Sequence, residues 1–168
     1  SGSFCRTGAA EPLPCPAGTF SSATDLGAAA ECTDCTMGSS CGTASTAANA
    51  CAPGTYTDST GESVCASCAA GSHQPSSGAS GCVACVAGSF CPEGAAEPLP
   101  CPAGSYSNAT DLGQAAQCTS CTVGHSCGTK SEQPLPCAAG TYTSTTGESE
   151  CAKCEAGTHQ PESGSLVC

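Results

Sequence analysis

The chain of 168 residues has no Trp and no Ile, and only three Lys or Arg. Six Leu, five Val, three Phe, three Tyr and one Met make up its large apolar inventory. A chain this long ordinarily buries roughly two-thirds of its unfolded surface around an apolar core. The residues for such a core are missing here, because most of the 39% hydrophobic content is Ala and Cys. That shortage argues against an ordinary globular enzyme. The shortage of cations, set against 14 Asp and Glu, leaves a formal net charge of −11. Such a surface repels phosphate backbones and anionic lipid headgroups, so nucleic acid and polybasic membrane docking are excluded as partners. No run approaches the roughly 18 apolar residues of a membrane span, and no direct membrane insertion is expected. The first residues lack a charged and then apolar leader, so a signal peptide is expected to have been removed or to lie outside this segment.

Cysteine is abundant instead. Nineteen in 168 residues is about 11%, above the roughly 8–10% at which a chain reads as a disulfide scaffold. So many thiols with so little core are useful only in an oxidising compartment, which implies an extracellular protein, secreted or on the cell surface.

The cysteines are spaced by repetition. Cys5 to Cys82 and Cys91 to Cys168 align without gaps at an offset of 86 residues, with 51 identities in 78 positions. This divides the chain into cysteine-rich repeat 1 (1–86, lacking its first Cys) and repeat 2 (87–168, lacking its last Cys). A smaller unit recurs inside each, written Cys-x-x-Gly, then Ser or Thr, then often an aromatic or His. It opens at Cys15, Cys35, Cys51, Cys68 and Cys85, and again at Cys101, Cys121, Cys137 and Cys154. Five openers and five closers per period give the even number that a closed disulfide framework requires. The odd total is the one expected of a segment cut from a longer array, in which the sister of Cys85 would fall just before Ser1. Cys5 is therefore expected to be unpaired or paired outside this segment, with a reactive or subunit-linking thiol as the rival reading.

Pairing each opener with the next cysteine joins Cys15 to Cys32, Cys35 to Cys41, Cys51 to Cys65, Cys68 to Cys82 and Cys85 to Cys91. In the second half it joins Cys101 to Cys118, Cys121 to Cys127, Cys137 to Cys151 and Cys154 to Cys168. Each link closes a short loop, and a 15-residue loop is worth about 3 kcal/mol in the chain-entropy account. Several such links can stand in for a missing core. Spacing alone does not fix connectivity, and interleaved pairing around Cys85, Cys91 and Cys101 stays open. The Gly of each opener supplies a tight or left-handed turn. The aromatics Phe20, Tyr56, Phe90, Tyr106 and Tyr142 are placed to cover neighbouring disulfides. Tyr56-Thr57 and Tyr142-Thr143 favour short strands. Glu-Pro-Leu-Pro at 11–14 and 97–100, and Gln-Pro-Leu-Pro at 133–136, read as extended spacers holding modules apart. No helical periodicity is present. The expected fold class is small and disulfide-rich: an elongated rod of tandem cystine loops with short β-hairpins and little or no helix.

These Cys-x-x-Gly-Thr-Tyr loops closing onto C-x-x-C resemble the cysteine-rich modules of tumour necrosis factor receptors. They resemble still more the ephrin-receptor-like repeats of the growth-factor-receptor and EGF-like group. The resemblance covers essentially the whole chain. It implies pairing of an opener with the first Cys of the following C-x-x-C, which agrees with Cys15–Cys32, Cys51–Cys65 and Cys137–Cys151. The short C-x5-C loops at 35, 85 and 121 depart from that pattern. Tandem arrays of this kind occur in receptor stalks and in surface proteins of algae and protists, including filamentous appendages. Such a resemblance speaks for fold more than for function.

Sharper chemistry is weakly signalled. Cys65, Cys68, Cys82 and Cys85 have a spacing close to a zinc ribbon, but the same C-x-x-C recurs wherever loop closure needs it, so neither metal nor other cofactor is expected. His73 and His159 occupy the aromatic position of sister units and read as packing rings, while His125 falls at a Ser/Thr position. No nucleophile elbow, phosphate loop or carboxylate pair set in an apolar pocket is present, and no catalytic residue is assigned. Asp25-Leu26-Gly27 and Asp111-Leu112-Gly113 read as structural turns rather than calcium loops. Asn108-Ala109-Thr110 is an N-glycosylation acceptor, and Asn49-Ala50-Cys51 a much weaker one. Ser and Thr make up about a quarter of the chain, and Thr57, Thr60, Thr143, Thr145 and Thr146 are expected on exposed loops open to O-glycosylation.

The sequence thus points to a non-enzymatic, glycosylated structural repeat protein of a filament, stalk or surface coat. Its expected partners are copies of itself, further repeats of the same array, and glycans. The alternative is a receptor or adhesion ectodomain that binds a protein ligand through the divergent segments 44–50 and 130–136.

Overall fold

The module begins with a turn. In the computed structural model, which describes all residues 1–168, Thr19 N–H donates to Pro16 O, Thr55 to Ala52 O, and Ser105 to Pro102 O. A three-residue reversal of this kind needs a positive φ at its third position, as in a type II turn. Gly18 supplies it at +89° and Gly104 at +85°. The next residue is Ser or Thr for a related reason. The hydroxyls of Thr19, Thr55, Ser105, Thr141 and Thr158 each donate to the same carbonyl that closes their turn, at 2.7–2.8 Å.

After the turn, two residues run extended and pair with two more before the next opener. Ser3–Phe4 pairs with Leu13–Pro14, Thr19–Phe20 with Thr33–Asp34, and Ser39–Ser40 with Asn49–Ala50. Thr55–Tyr56 pairs with Ala66–Ser67, and Ser72–His73 with Val83–Ala84. Ser89–Phe90 then pairs with Leu99–Pro100, and Ser105–Tyr106 with Thr119–Ser120. Last, His125–Ser126 pairs with Leu135–Pro136, and Thr141–Tyr142 with Ala152–Lys153. All the resolved registers are antiparallel. The only helices are single 3₁₀ turns at Ala29–Glu31 and Ala115–Gln117.

The Pro-rich segments are not spacers. Leu13–Pro14, Leu99–Pro100 and Leu135–Pro136 are return strands of hairpins. The extended backbone expected of them is present, but it closes a module instead of separating two. Their side chains lie on the exposed outer strand, the place in a sheet where proline is tolerated.

Successive modules are joined by a repeating set of backbone hydrogen bonds. The turn glycine donates its N–H to the seventh residue of the following module: Gly18 to Cys41 O, Gly38 to Thr57 O, Gly88 to Ser107 O and Gly104 to Cys127 O, at 2.7–3.0 Å. That seventh residue donates onward into the next loop, as Ser21 does to Ser45 O and Cys41 to Glu62 O. A third bond returns from the loop to the preceding opener: Gly61 N–H to Cys35 O, Gly78 to Cys51 O, and Gly147 to Cys121 O, at 2.8–2.9 Å. A hydrogen bond of this type is worth about 1 kcal/mol net. Stability therefore accrues junction by junction, as in other repeat architectures.

The close approach also explains why the turn residue is Gly on its packing side. A Cβ on Gly18 would run into the carbonyl of Gly61, and one on Gly104 into the carbonyl of Gly147.

The fully buried side chains are almost all cysteine. Eleven of the twelve largest fully buried side chains are Cys, and the other is Ser89. One conventional apolar cluster exists, where Phe4, 5% exposed, packs with Cys15 and Cys32 against Leu26 and Ala29. The chain groups into two compact units that interleave in sequence. The first holds Ser1–Ala69, His73–Val83 and Glu93–Glu97, and the second Ala70–Ser72, Ala84–Pro92 and Pro98–Cys168. The bonds named above for Gly18, Gly38, Ser21, Cys41, Gly61 and Gly78 lie within the first unit, and those for Gly88, Gly104 and Gly147 within the second.

Candidate functional site

Nine disulfides are present, with Cα–Cα separations of 5.7–6.0 Å. The first five are Cys15–Cys32, Cys35–Cys41, Cys51–Cys65, Cys68–Cys82 and Cys85–Cys91. The remaining four are Cys101–Cys118, Cys121–Cys127, Cys137–Cys151 and Cys154–Cys168. Cys85 is joined to Cys91 and Cys101 to Cys118, so the links are not interleaved there. The closers of the long links are less buried than the openers: Cys137 is 1% exposed, while its partner Cys151 is half-buried. Cys5 carries an exposed free thiol. The zinc-ribbon spacing brings no thiolates together, since Cys68 and Cys82 are bonded to each other, Cys65 to Cys51 and Cys85 to Cys91.

Two disulfide geometries occur. In the long form the opener reaches a cysteine 14 or 17 residues on, and the hairpin loop lies inside the covalent ring. In the short form it reaches a cysteine six residues on, at the seventh position of the module itself. The seventh position is buried in three short and four long modules, and half-buried as Gln74 and Gln160. Cys41, Cys91 and Cys127 fill it in short modules, and Ser21, Thr57, Ser107 and Thr143 in long ones.

This burial corrects two of the expected sugar acceptors. Thr57 and Thr143 are each 4% exposed, and their hydroxyls donate to Ser39 O and His125 O of the preceding module at 3.3 Å. Thr60, Thr145 and Thr146 are exposed, although the Thr145 hydroxyl donates to Glu148 at 2.6 Å.

The histidines part company. His73 lies on the aromatic position of its strand, half-buried, with Nδ1 unpartnered. His159 is exposed and outside any strand, so it does not pack as a ring. His125 is half-exposed with Nδ1 3.0 Å from Val123 O and 3.3 Å from the Thr122 hydroxyl.

The Asp-Leu-Gly segments are turns into the 3₁₀ helices. Gly27 N–H donates to the Glu31 carboxylate and Gly113 N–H to the Gln117 carboxamide, at 2.9 and 2.8 Å. Both Asp25 and Asp111 are exposed. Because Gln replaces Glu in the second copy with the same bond, the contact needs an acceptor oxygen and not a charge. Leu26 O and Leu112 O accept from Cys5 and Cys91, so the whole segment serves a module junction.

Two surface hollows flank Tyr142. One, about 230 Å³, is lined by Tyr142, Glu155, Thr158 and Val167. The other, about 200 Å³, is lined by Tyr142, Thr145, Glu148 and Glu150. Both are smaller than the roughly 300–1,000 Å³ of ordinary small-molecule sites.

Sequence reasoning missed the loop glycines Gly61, Gly78, Gly94, Gly147 and Gly164, which bond back to the preceding opener. Their signal was legible in Thr-Gly-Glu-Ser, which stands at 60–63 and again at 146–149. It also missed that Ala44 and Lys130 hold the same place with φ of 61° and 64°. No helix is long and apolar enough to cross a membrane. Neither a protein-family model nor a curated protein sequence matches the chain.

Proposed function

We propose that this chain is a non-enzymatic extracellular structural repeat protein, a disulfide-stapled array serving in a filament, stalk or surface coat. Its modules are of the ephrin-receptor-like and tumour-necrosis-factor-receptor-like cysteine-rich type. The observation that carries this reading is the repeated junction: the same glycine N–H, seventh-residue and opener groups are used from module to module within each compact unit. Such a device adds modules without a new side-chain solution for each one. That suits a part whose job is length, and it favours further repeats or copies of the same array as partners. The disulfide content supports an oxidising, extracellular setting.

A second reading, a receptor or adhesion ectodomain, has one observation in its favour. In the divergent segment 130–136, Lys130 is one of only three basic residues and takes a left-handed backbone, and Leu135 is 68% exposed. Negative-stain electron microscopy of the protein secreted by its native cells separates the two. Filaments with a constant axial repeat are the expected result. Isolated particles without a lattice, together with loss of a partner on alanine substitution in 130–136, would replace the structural reading with the receptor one.

A further inference from the structure

We infer that Asn108 is the N-glycan acceptor of this chain and that Asn49 is not. The assignment rests on the extracellular reading above, and the structure adds what the sequon alone lacks. Asn108 follows Ser107, whose carbonyl and N–H are both held by neighbouring modules, through Gly88 N–H and Ser131 O. The Ser107 hydroxyl in turn accepts from Ala109 N–H at 3.0 Å. The backbone on one side of Asn108 is therefore fixed, while Asn108 and Thr110 themselves are exposed.

The eighth position of the module is also one on which the fold makes no demand. It is Arg6, Ser22, Gly42, Asp58, Pro75 and Pro92 in the preceding modules, and Gly128, Ser144 and Pro161 in the following ones. Every one of these except the half-buried Pro92 is exposed. At the sister site the same turn forms with Ser22 in place of Asn, Ala23 N–H donating to the Ser21 hydroxyl at 3.1 Å. A bulky, hydrophilic substituent on the Asn108 side chain thus projects from a place that tolerates anything from Gly to Arg.

Asn49 is exposed as well but differs on two other counts. It is in a paired strand opposite Ser40, and the third residue of its sequon, Cys51, is bonded to Cys65. It offers no free hydroxyl or thiol to a transferase once the disulfide has formed.

The transfer takes its sugar from an oligosaccharide carried on a lipid pyrophosphate. The Asn108 amide nitrogen bonds to the anomeric carbon, the bond from that carbon to pyrophosphate oxygen breaks, and the lipid pyrophosphate leaves with the electron pair. The amide proton passes to base.

The test is to secrete the chain from eukaryotic cells behind a cleavable signal peptide and weigh it before and after peptide-N-glycosidase. The expected result is a single glycan mass that the enzyme removes, leaving Asp at 108. It should be lost entirely in Asn108→Gln and in Thr110→Ala, and retained in Thr110→Ser and Asn49→Gln. A wild-type mass equal to that of the bare polypeptide, or a glycan surviving Asn108→Gln, would overturn the assignment. Counting disulfides on the same sample keeps the two proposals apart. Nine bonds without a glycan overturn the glycan alone, whereas a chain secreted unglycosylated with its thiols reduced overturns both.

Discussion

The module from Cys15 to Asp34 and the one from Cys35 to Ala50 make the same hairpin and the same junction bonds with different covalent wiring. In the first, Cys15 reaches past the whole loop to Cys32, and the seventh position is Ser21. In the second, the sulfur at the seventh position is itself the partner, Cys35 to Cys41, and the loop 42–48 lies outside the ring. Both seventh residues donate an N–H into the following loop, Ser21 to Ser45 O and Cys41 to Glu62 O. The lesson is that the junction is a backbone device. It needs an N–H and a carbonyl at the seventh position and leaves the side chain free to be a hydroxyl or half a cystine. A chain built this way can move its staples without changing how its modules stack.

The largest effect should come from breaking the junction. Gly18→Val puts a β-branched residue at a positive φ and drives its side chain into the Gly61 carbonyl. A loss of about 4 kcal/mol is expected, above the ordinary range for point substitutions. Hydrogen exchange should show it as lost protection at Cys35 and Gly61 amides. Unchanged protection would mean that the junction is softer than its geometry implies.

Next come the staples, which should rank by loop length. Removing Cys51–Cys65 as the double Cys→Ala variant should cost about 3 kcal/mol, and removing Cys35–Cys41 about 2.3 kcal/mol, in the chain-entropy account. Denaturant unfolding of the two variants checks the order. A larger cost for the short link would show that Cys41 matters through its packing at the junction and not through the loop it closes.

The smallest effect probes the unstapled loop. Ala44 stands where Gly61 and Gly78 stand in later modules, and it pays for a left-handed backbone at φ 61°. Ala44→Gly should relieve roughly 1–2 kcal/mol of strain and lose about 0.5–1 kcal/mol to unfolded-chain entropy. A net gain of up to about 1.5 kcal/mol in thermal unfolding is expected, with Gly61→Ala, the reverse change, destabilising.

Much of the fold was legible because repetition writes it twice. The 86-residue offset, the recurring Cys-x-x-Gly and the empty apolar inventory together specify small stapled hairpins with almost no helix. The meaning of Glu-Pro-Leu-Pro was not legible, because proline marks extended chain equally well in a linker and in an exposed return strand. Nor was the burial of Thr57 and Thr143. Their composition is that of a loop, and only the module stacked before them, accepting through Ser39 O and His125 O, takes their hydroxyls out of water.

By itself, then, the sequence determined the architecture: where each turn falls, that sulfur replaces an apolar core, and how often the unit recurs. These are local or counting properties, fixed by the φ that glycine permits and by the number of cysteines per period. Only the tertiary structure decided which groups hold one module to the next, and so which hydroxyls are buried and which carboxamide stands clear. Those contacts are made by backbone atoms common to every residue, and composition carries no trace of them until the modules are stacked.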